Sequence, residues 1–242
     1  MDPREAKIAL RNRCWDAIRE AGAARFPGVR GRIPNFVGAE AAAERFTRSR
    51  TFADAGTLKC NPDSPQRPAR VAALRAGKVV YMAVPRLSDA RPFLELHPAR
   101  LGEDALWHAS SIKGAFELGR PVKLSAMPRI DLILTGCVGV GRDGVRLGKG
   151  GGYSDLEYGL LRERGKVDDA TPVATTLHPC QLLRRGEIPR LAHDISVDIA
   201  FLPARTVTLP RVHPRPTGVL WDALDAERRA AIPVLRRRPK RG

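Results

Sequence analysis

Ten consecutive residues, Arg146-Leu147-Gly148-Lys149-Gly150-Gly151-Gly152-Tyr153-Ser154-Asp155, bring four glycines, two cations and a carboxylate together. Glycine admits positive φ and lets backbone N–H groups converge on an anion with no Cβ in the way. Arg146 and Lys149 add positive charge, so the run has the chemistry of a phosphate cradle. Such a cradle needs a strand before it and a helix after it. Arg129 to Thr135 reads as a short buried strand, and Tyr153 to Glu163 as a helix whose positive N-terminal end faces the glycines.

Two other glycine patterns compete for this stretch. A Walker A loop is excluded, because its first glycine position holds Asp143 and Gly150 stands where Ser or Thr is required. Gly139-Val-Gly141-Arg-Asp-Gly144 satisfies the dinucleotide fingerprint literally. A helix should begin inside that fingerprint, yet here more glycines follow, and no strand ending in an acid stands at the expected distance. A bare flexible loop explains the glycines but not the flanking Arg, Lys, Tyr and Asp.

The run Arg146 to Asp155 resembles the glycine-rich loop of the 5-formyltetrahydrofolate cyclo-ligase (methenyltetrahydrofolate synthetase) family, Arg-Leu-Gly-basic-Gly-x-Gly-Tyr-Tyr-Asp, and departs from it only at Ser154. Further landmarks follow in order: Lys7 and Arg11, Gly77-Lys78 before an apolar strand, and Ile188-Pro189 through His193-Asp194 to Val197-Asp198. The resemblance covers roughly residues 4 to 207 and is nearest to a divergent branch that includes the synthetase-domain-containing proteins. It implies ATP and Mg²⁺ as cofactors and a reduced folate as substrate. In that family ATP phosphorylates the formyl oxygen of 5-formyltetrahydrofolate, N10 attacks the activated carbon, and phosphate leaves as the 5,10-methenyl product forms.

Carried over residue by residue, the resemblance places Lys7, Arg11, Arg146, Gly148, Lys149, Gly150, Gly151, Gly152 and Tyr153 at the nucleotide. Arg146, Tyr153 and Asp155 become the catalytic candidates. Tyr153 is also a substrate contact, and Asp155, with Asp194, is expected to hold Mg²⁺, a hard cation that favours oxygen ligands. The family's pterin-binding glutamate segment is replaced by Asn61-Pro62-Asp63-Ser64-Pro65-Gln66, so Asp63 stands in as the substrate-binding acid. With Ser154, that replacement leaves a catalytically silent nucleotide- or folate-binding protein open as an alternative.

Helices are predicted over Arg4 to Ala23, with Ile8, Cys14, Trp15 and Ile18 as its apolar face, over Ala39 to Thr47, and up to Leu74. Strands are predicted over Lys78 to Val84, Val173 to Leu177 and Val197 to Leu202. Alternating buried strands and helices predict an α/β fold, a Rossmann-like three-layer sandwich with a mostly parallel sheet and helices on both faces. Residues 1 to 235 are expected to form one domain and 236 to 242 a disordered basic tail. The segment Arg86 to Arg129 reads as an insertion.

A 242-residue chain that is 43% hydrophobic can bury a sizeable core. It has no apolar leader at its start and no apolar run near the ~18 residues of a membrane helix, so a cytoplasmic protein without a membrane partner is expected. Cys14, Cys60, Cys137 and Cys180 are scattered singly, and His97, His108 and His213 lack metal-ligand spacing, which argues against structural zinc and a disulfide framework. The net charge of +16 raises nucleic-acid binding as a second alternative. Five of the positive charges sit in the tail, the others are dispersed, and 5% aromatic content is low for base stacking, so small anionic ligands are the better match.

Overall fold

The computed structural model describes residues 2–236. Eleven strands are present among them: β1 (Thr57–Cys60), β2 (Val79–Ala83), β3 (Phe93–Leu96), β4 (Arg120–Val122), β5 (Leu132–Leu134), β6 (Gly139–Gly141), β7 (Arg146–Leu147), β8 (Val173–Thr176), β9 (Leu182–Leu183), β10 (Ile199–Phe201) and β11 (Thr206–Thr208). Eight of them form one sheet in the order β11-β10-β8-β5-β1-β2-β3-β4, and β7-β6-β9 form a small second sheet. The five strands from β10 to β2 run parallel, while β11 at one edge and β3 and β4 at the other are antiparallel.

Alternate residues of the parallel strands serve two cores, as the two-residue period of a strand requires. Leu58, Cys60, Val80, Met82, Leu132, Leu134 and Phe201 pack on one face with Ala43 and Phe46 of helix Ala39–Thr47 and Ala69, Ala73 and Leu74 of helix Arg67–Arg75. Tyr81, Ala83, Ile133, Val173 and Ala200 pack on the other with Leu156, Tyr158, Leu160 and Leu161 of helix Tyr153–Glu163. The sheet is therefore covered on both faces. Numbered in chain order, its five parallel strands stand 2-1-3-4-5, which puts the topological switch point at the carboxyl ends of β1 and β5, where open α/β sheets bind ligands.

The first helix, Pro3–Glu20, begins with Asp2 accepting the Arg4 N–H at 3.0 Å and Pro3 in the first turn. Its buried stripe is Lys7, Leu10, Cys14, Trp15 and Ile18, whereas Ile8 is 56% exposed. Ile8 was expected on the apolar face. Eleven residues complete just over three helical turns, so Lys7, not Ile8, lies in line with Ile18. This helix packs on the small sheet through Val138, Val145, Leu147 and Leu183.

The stretch Gly139 to Gly144 that mimics a dinucleotide fingerprint is β6 and its tight turn, with Gly144 at φ +81°. The predicted insertion supplies β3 and β4 and the short helices between them. Glu95 on β3 is buried there between Arg100 at 2.9 Å and Arg120 at 2.6 Å. Cys14, Cys60 and Cys137 are buried free thiols, and burial pushes Cys137 up to about 11 and Cys14 and Cys60 up to about 12. They are poor nucleophiles as a result. No helix among the described residues is long and apolar enough to cross a membrane. Apart from Arg236, the expected basic tail lies outside the described residues.

Arg70 is 1% exposed and has no carboxylate partner among the described residues; it donates to the carbonyls of Asn61 at 2.6 Å, Asp63 at 2.9 Å, Pro62 at 3.2 Å and Ser110 at 3.0 Å. Burial draws its guanidinium down to about 10. It fixes the turn that leaves β1. Arg70→Met, which keeps most of the volume, is expected to lower stability by about 3 kcal/mol in urea unfolding, because four carbonyls lose a charged donor. A loss under about 1 kcal/mol would show that the turn holds itself.

Candidate functional site

The glycine run leaves β7 and enters helix Tyr153–Glu163 through two positive-φ positions, Gly150 at +110° and Gly152 at +63°. A side chain at Gly152 would also stand 3.0 Å from Arg228. Gly152 is the helix N-cap, and no side chain caps the start. The first-turn N–H groups and the positive end of the helix dipole are therefore free for an anion.

Around this helix start is a cavity of about 420 Å³ lined by Lys7, Arg11, Gly148, Gly150, Gly152, Asp155, His193 and Asp194 among others. The first helix delivers three of its cations, Arg4, Lys7 and Arg11. Lys7 pairs with Asp194 at 2.5 Å, and Arg11 Nε donates to the Gly148 carbonyl at 2.8 Å. Asp194 Oδ2 also accepts the Leu191 N–H at 2.7 Å, and His193 stands 3.7 Å from Oδ1. Burial pulls the Arg11 guanidinium down, Asp194 opposes that, and nearby Arg146 adds to it.

Arg146 and Asp155 differ from their sequence expectation. Both are buried, and Arg146 Nη2 donates to Asp155 Oδ2 at 2.7 Å. Nη1 reaches the Gly136 carbonyl at 3.0 Å, and Asp155 Oδ1 accepts the Ile195 N–H at 3.1 Å. Burial disfavours charge on both groups, yet the opposite charge beside each prevails, holding Arg146 above and Asp155 below its ordinary value. Both Asp155 oxygens are thus engaged within the fold. Arg146 is likewise bound within the fold through Nη1 and Nη2. Among the described residues no group of three or more His, Cys, Asp and Glu side chains is arranged to hold a metal ion.

Lys149 and Asp63 are not part of the cavity lining; they meet each other at 3.4 Å. The Asp63 side chain does not cap the turn that follows it, which leaves the carboxylate facing the loop. Gly151 and Tyr153 meet Arg228, whose guanidinium donates to the Gly151 carbonyl and stands 5.4 Å from the Tyr153 ring centre. Asp198, a landmark expected beside Asp194, is elsewhere, bound to Arg211 at 2.9 Å and Arg215 at 2.5 Å.

At the switch point sits a buried polar network absent from the sequence reading. Lys59 pairs with Glu157, and Asn61 Nδ2 donates to Glu157 at 3.0 Å and to the Ser154 hydroxyl at 3.1 Å. Asn61 Oδ1 accepts the Gly136 N–H at 3.3 Å, closing the network across β1 and β5. A lysine set between the apolar residues Leu58 and Cys60 was the available signal, since such a charge is buried only with a partner.

The sequence profile of the 5-formyltetrahydrofolate cyclo-ligase family matches residues 3–203. The chain belongs to that family. It is 36% identical over 239 residues to the methenyltetrahydrofolate synthase domain-containing protein of Bos taurus, covering 98% of this chain and 63% of the relative. The Mus musculus protein of the same name is 37% identical over 232 residues, 96% of this chain and 62% of its own length. The chain thus spans less than two thirds of the curated relatives it matches. The NMR structure of Aquifex aeolicus 5,10-methenyltetrahydrofolate synthetase superposes with a TM-score of 0.53 at 19% identity, covering 88% of this chain and 97% of that one, so the fold is that of the cyclo-ligases.

Asp155→Ala strands the buried Arg146 charge and is expected to lower stability by about 3–5 kcal/mol at neutral pH. Because the folded carboxyl titrates below its unfolded value of about 3.9, its contribution is full above that pH and fades as pH falls through the folded value. Urea unfolding of wild type and variant should therefore converge in acid. A constant difference between pH 7 and pH 3 would refute the ion-pair account.

Proposed function

We propose that this chain closes 5-formyltetrahydrofolate to 5,10-methenyltetrahydrofolate with conversion of ATP to ADP and phosphate, as a divergent cyclo-ligase. The observation that carries this reading is the cation-lined cavity at the uncapped, glycine-fed start of helix Tyr153–Glu163. Its volume suits a small ligand, and its backbone N–H groups with Lys7 and Arg11 suit a polyphosphate. Phosphoryl transfer asks a protein mainly for positioning and charge neutralisation, which these residues offer.

The cofactors are tested by the donors present. ATP fits the cavity for the reasons given. Mg²⁺ would neutralise phosphate oxygens, and it requires only one or two protein carboxylates when phosphates complete its shell. Asp194 fits, through Oδ1; Asp155 does not. The folate is assigned to the end of β1, where Asp63 faces Lys149 and the Asn61–Ser154–Glu157 network meets the loop. Tyr153, beside Gly151, is assigned to the junction of the two ligands. A second reading, nucleotide binding without turnover, is favoured by one observation: the network of Lys59, Asn61 and Glu157 satisfies its own hydrogen bonds where the family carries a pterin-binding acid.

The deciding measurement is absorbance in the methenyltetrahydrofolate band with 5-formyltetrahydrofolate, ATP and Mg²⁺, against a control without ATP. An ATP-dependent rise is expected. A flat trace from protein that binds ATP would select the non-catalytic reading. Given turnover, Arg11→Ala should raise KM for ATP about tenfold and Asp63→Ala should raise KM for the folate. If both variants shift the same constant, the assignment of two ligands to two sides of the loop is wrong.

A further inference from the structure

The family match ends at residue 203, yet the chain continues across the cavity. This continuation is docked by specific contacts. Val219 N–H and Trp221 Nε1 both donate to Glu163 Oε1, at 3.1 and 2.6 Å, at the far end of the helix that carries the glycine loop. Gly159 of that helix has no Cβ, and one placed there would stand 3.0 Å from the Gly218 carbonyl, so the segment lies directly on the helix. Arg215 is buried and tied to the Thr171 and Ser196 carbonyls at 2.8 and 3.2 Å.

From this seat, residues 218 to 228 reach the start of the same helix. Val219, Leu220 and Leu224 give the cavity an apolar wall, and Arg228 arrives at its mouth. The Arg228 guanidinium donates to the Gly151 carbonyl, lies beside the Tyr153 ring, and approaches Gly152 so closely that any Cβ there would stand 3.0 Å away. No carboxylate among the described residues pairs with the Arg228 side chain; Asp225 instead accepts its backbone N–H at 2.6 Å. A guanidinium has five N–H donors in a rigid fork, and one carbonyl leaves most of them available.

We propose that the segment from Gly218 to Arg228, outside the family match, completes the nucleotide site of this chain, with Arg228 a phosphate-binding cation set on the glycine loop. This rests on the assignment of the cavity to ATP. Of the three first-helix cations in the cavity, Arg4, Lys7 and Arg11, two are partly spent, Lys7 on Asp194 and Arg11 on the Gly148 carbonyl. Arg146 is held within the fold through Nη1 and Nη2, its buried Nε having no partner among the described residues. Arg228 restores at the loop the charge that Arg146 withholds, and its fork suits a nucleoside triphosphate better than an uncharged nucleoside.

The test is calorimetric titration of ATP, inorganic triphosphate and adenosine into the full chain and its Arg228→Gln and Arg228→Lys variants, with thermal unfolding as a check on folding. Arg228→Gln should weaken ATP and triphosphate about tenfold and leave adenosine unchanged, with Arg228→Lys intermediate. Unchanged ATP affinity in Arg228→Gln overturns the proposal, as does an equal loss for ATP and adenosine, which marks a purely structural strap. Should Arg228→Gln unfold, equal ATP affinity in wild type and Arg228→Lys would overturn the need for a fork, while a selective loss would support it. Failure of the ATP reading itself is visible beforehand, as wild-type protein that binds none of the three, and the proposal falls with it.

Discussion

The buried pair of Arg146 and Asp155 is the constraint on which the site depends. It joins three segments that are separate in the chain: Gly136 at the end of β5, the first turn of helix Tyr153–Glu163, and Ile195 in the stretch that also carries Asp194. An ion pair taken out of water loses much solvation, and it is retained only where further hydrogen bonds satisfy the remaining donors and acceptors. Here the Gly136 carbonyl and the Ile195 N–H provide two of them, while Arg146 Nε is left without a partner among the described residues. The loop between Arg146 and Asp155 is thereby pinned at both ends, and its glycines bend within a fixed span.

Pinning the loop internally changes what holds a phosphate. A sequence reading assigns Arg146 to the ligand because it flanks the glycines, but its charge is neutralised before any ligand arrives. The positive character of the cavity then falls to groups from distant parts of the chain: Lys7 and Arg11 from the first helix, the uncapped helix start, and Arg228 from the other end. Lys7 reaches the cavity because it extends the buried stripe of its helix. Its partner Asp194 lies one residue before Ile195, so the first helix and the Arg146 pair are registered on the same short segment.

Local signals were legible where local physics decides. Helices Ala39–Thr47 and Tyr153–Glu163 carry their boundaries in the sequence, the second because Gly152 needs positive φ and the apolar residues Leu156 and Leu160 recur one turn apart. Four of the five parallel strands, β2, β5, β8 and β10, were found as apolar runs, though shorter than expected, because their ends turn into site loops; β1 escaped the sequence reading because Lys59 interrupts its short apolar run. Their order was not legible, since pairing β5 beside β1 depends on crossovers through elements far apart in sequence. Buried charges were missed for a related reason. Arg70, Lys59 and Glu157 look like surface residues until the fold supplies their partners, and nothing in a nine-residue separation signals that Arg146 will meet Asp155.

The two sides of the loop differ in how they recognise a ligand, and this bears on where the chain has diverged. The phosphate side relies on backbone N–H groups, a helix end and several cations, none of which reads more than charge and shape. The strand-end side relies on individual side chains at Asn61, Asp63, Ser154 and Glu157, held by Arg70 beneath the turn. Both departures from the family pattern noted in the sequence, Ser154 and the Asn61–Gln66 segment, fall on that second side, and the structure brings them into direct contact through the Asn61–Ser154 hydrogen bond. A small hydroxyl at 154 accepts from Asn61 while that amide also serves Glu157, so the two departures are coupled in one network rather than independent losses. The two departures therefore lie together in one contact, and neither Asn61 nor Ser154 lines the cavity at the helix start.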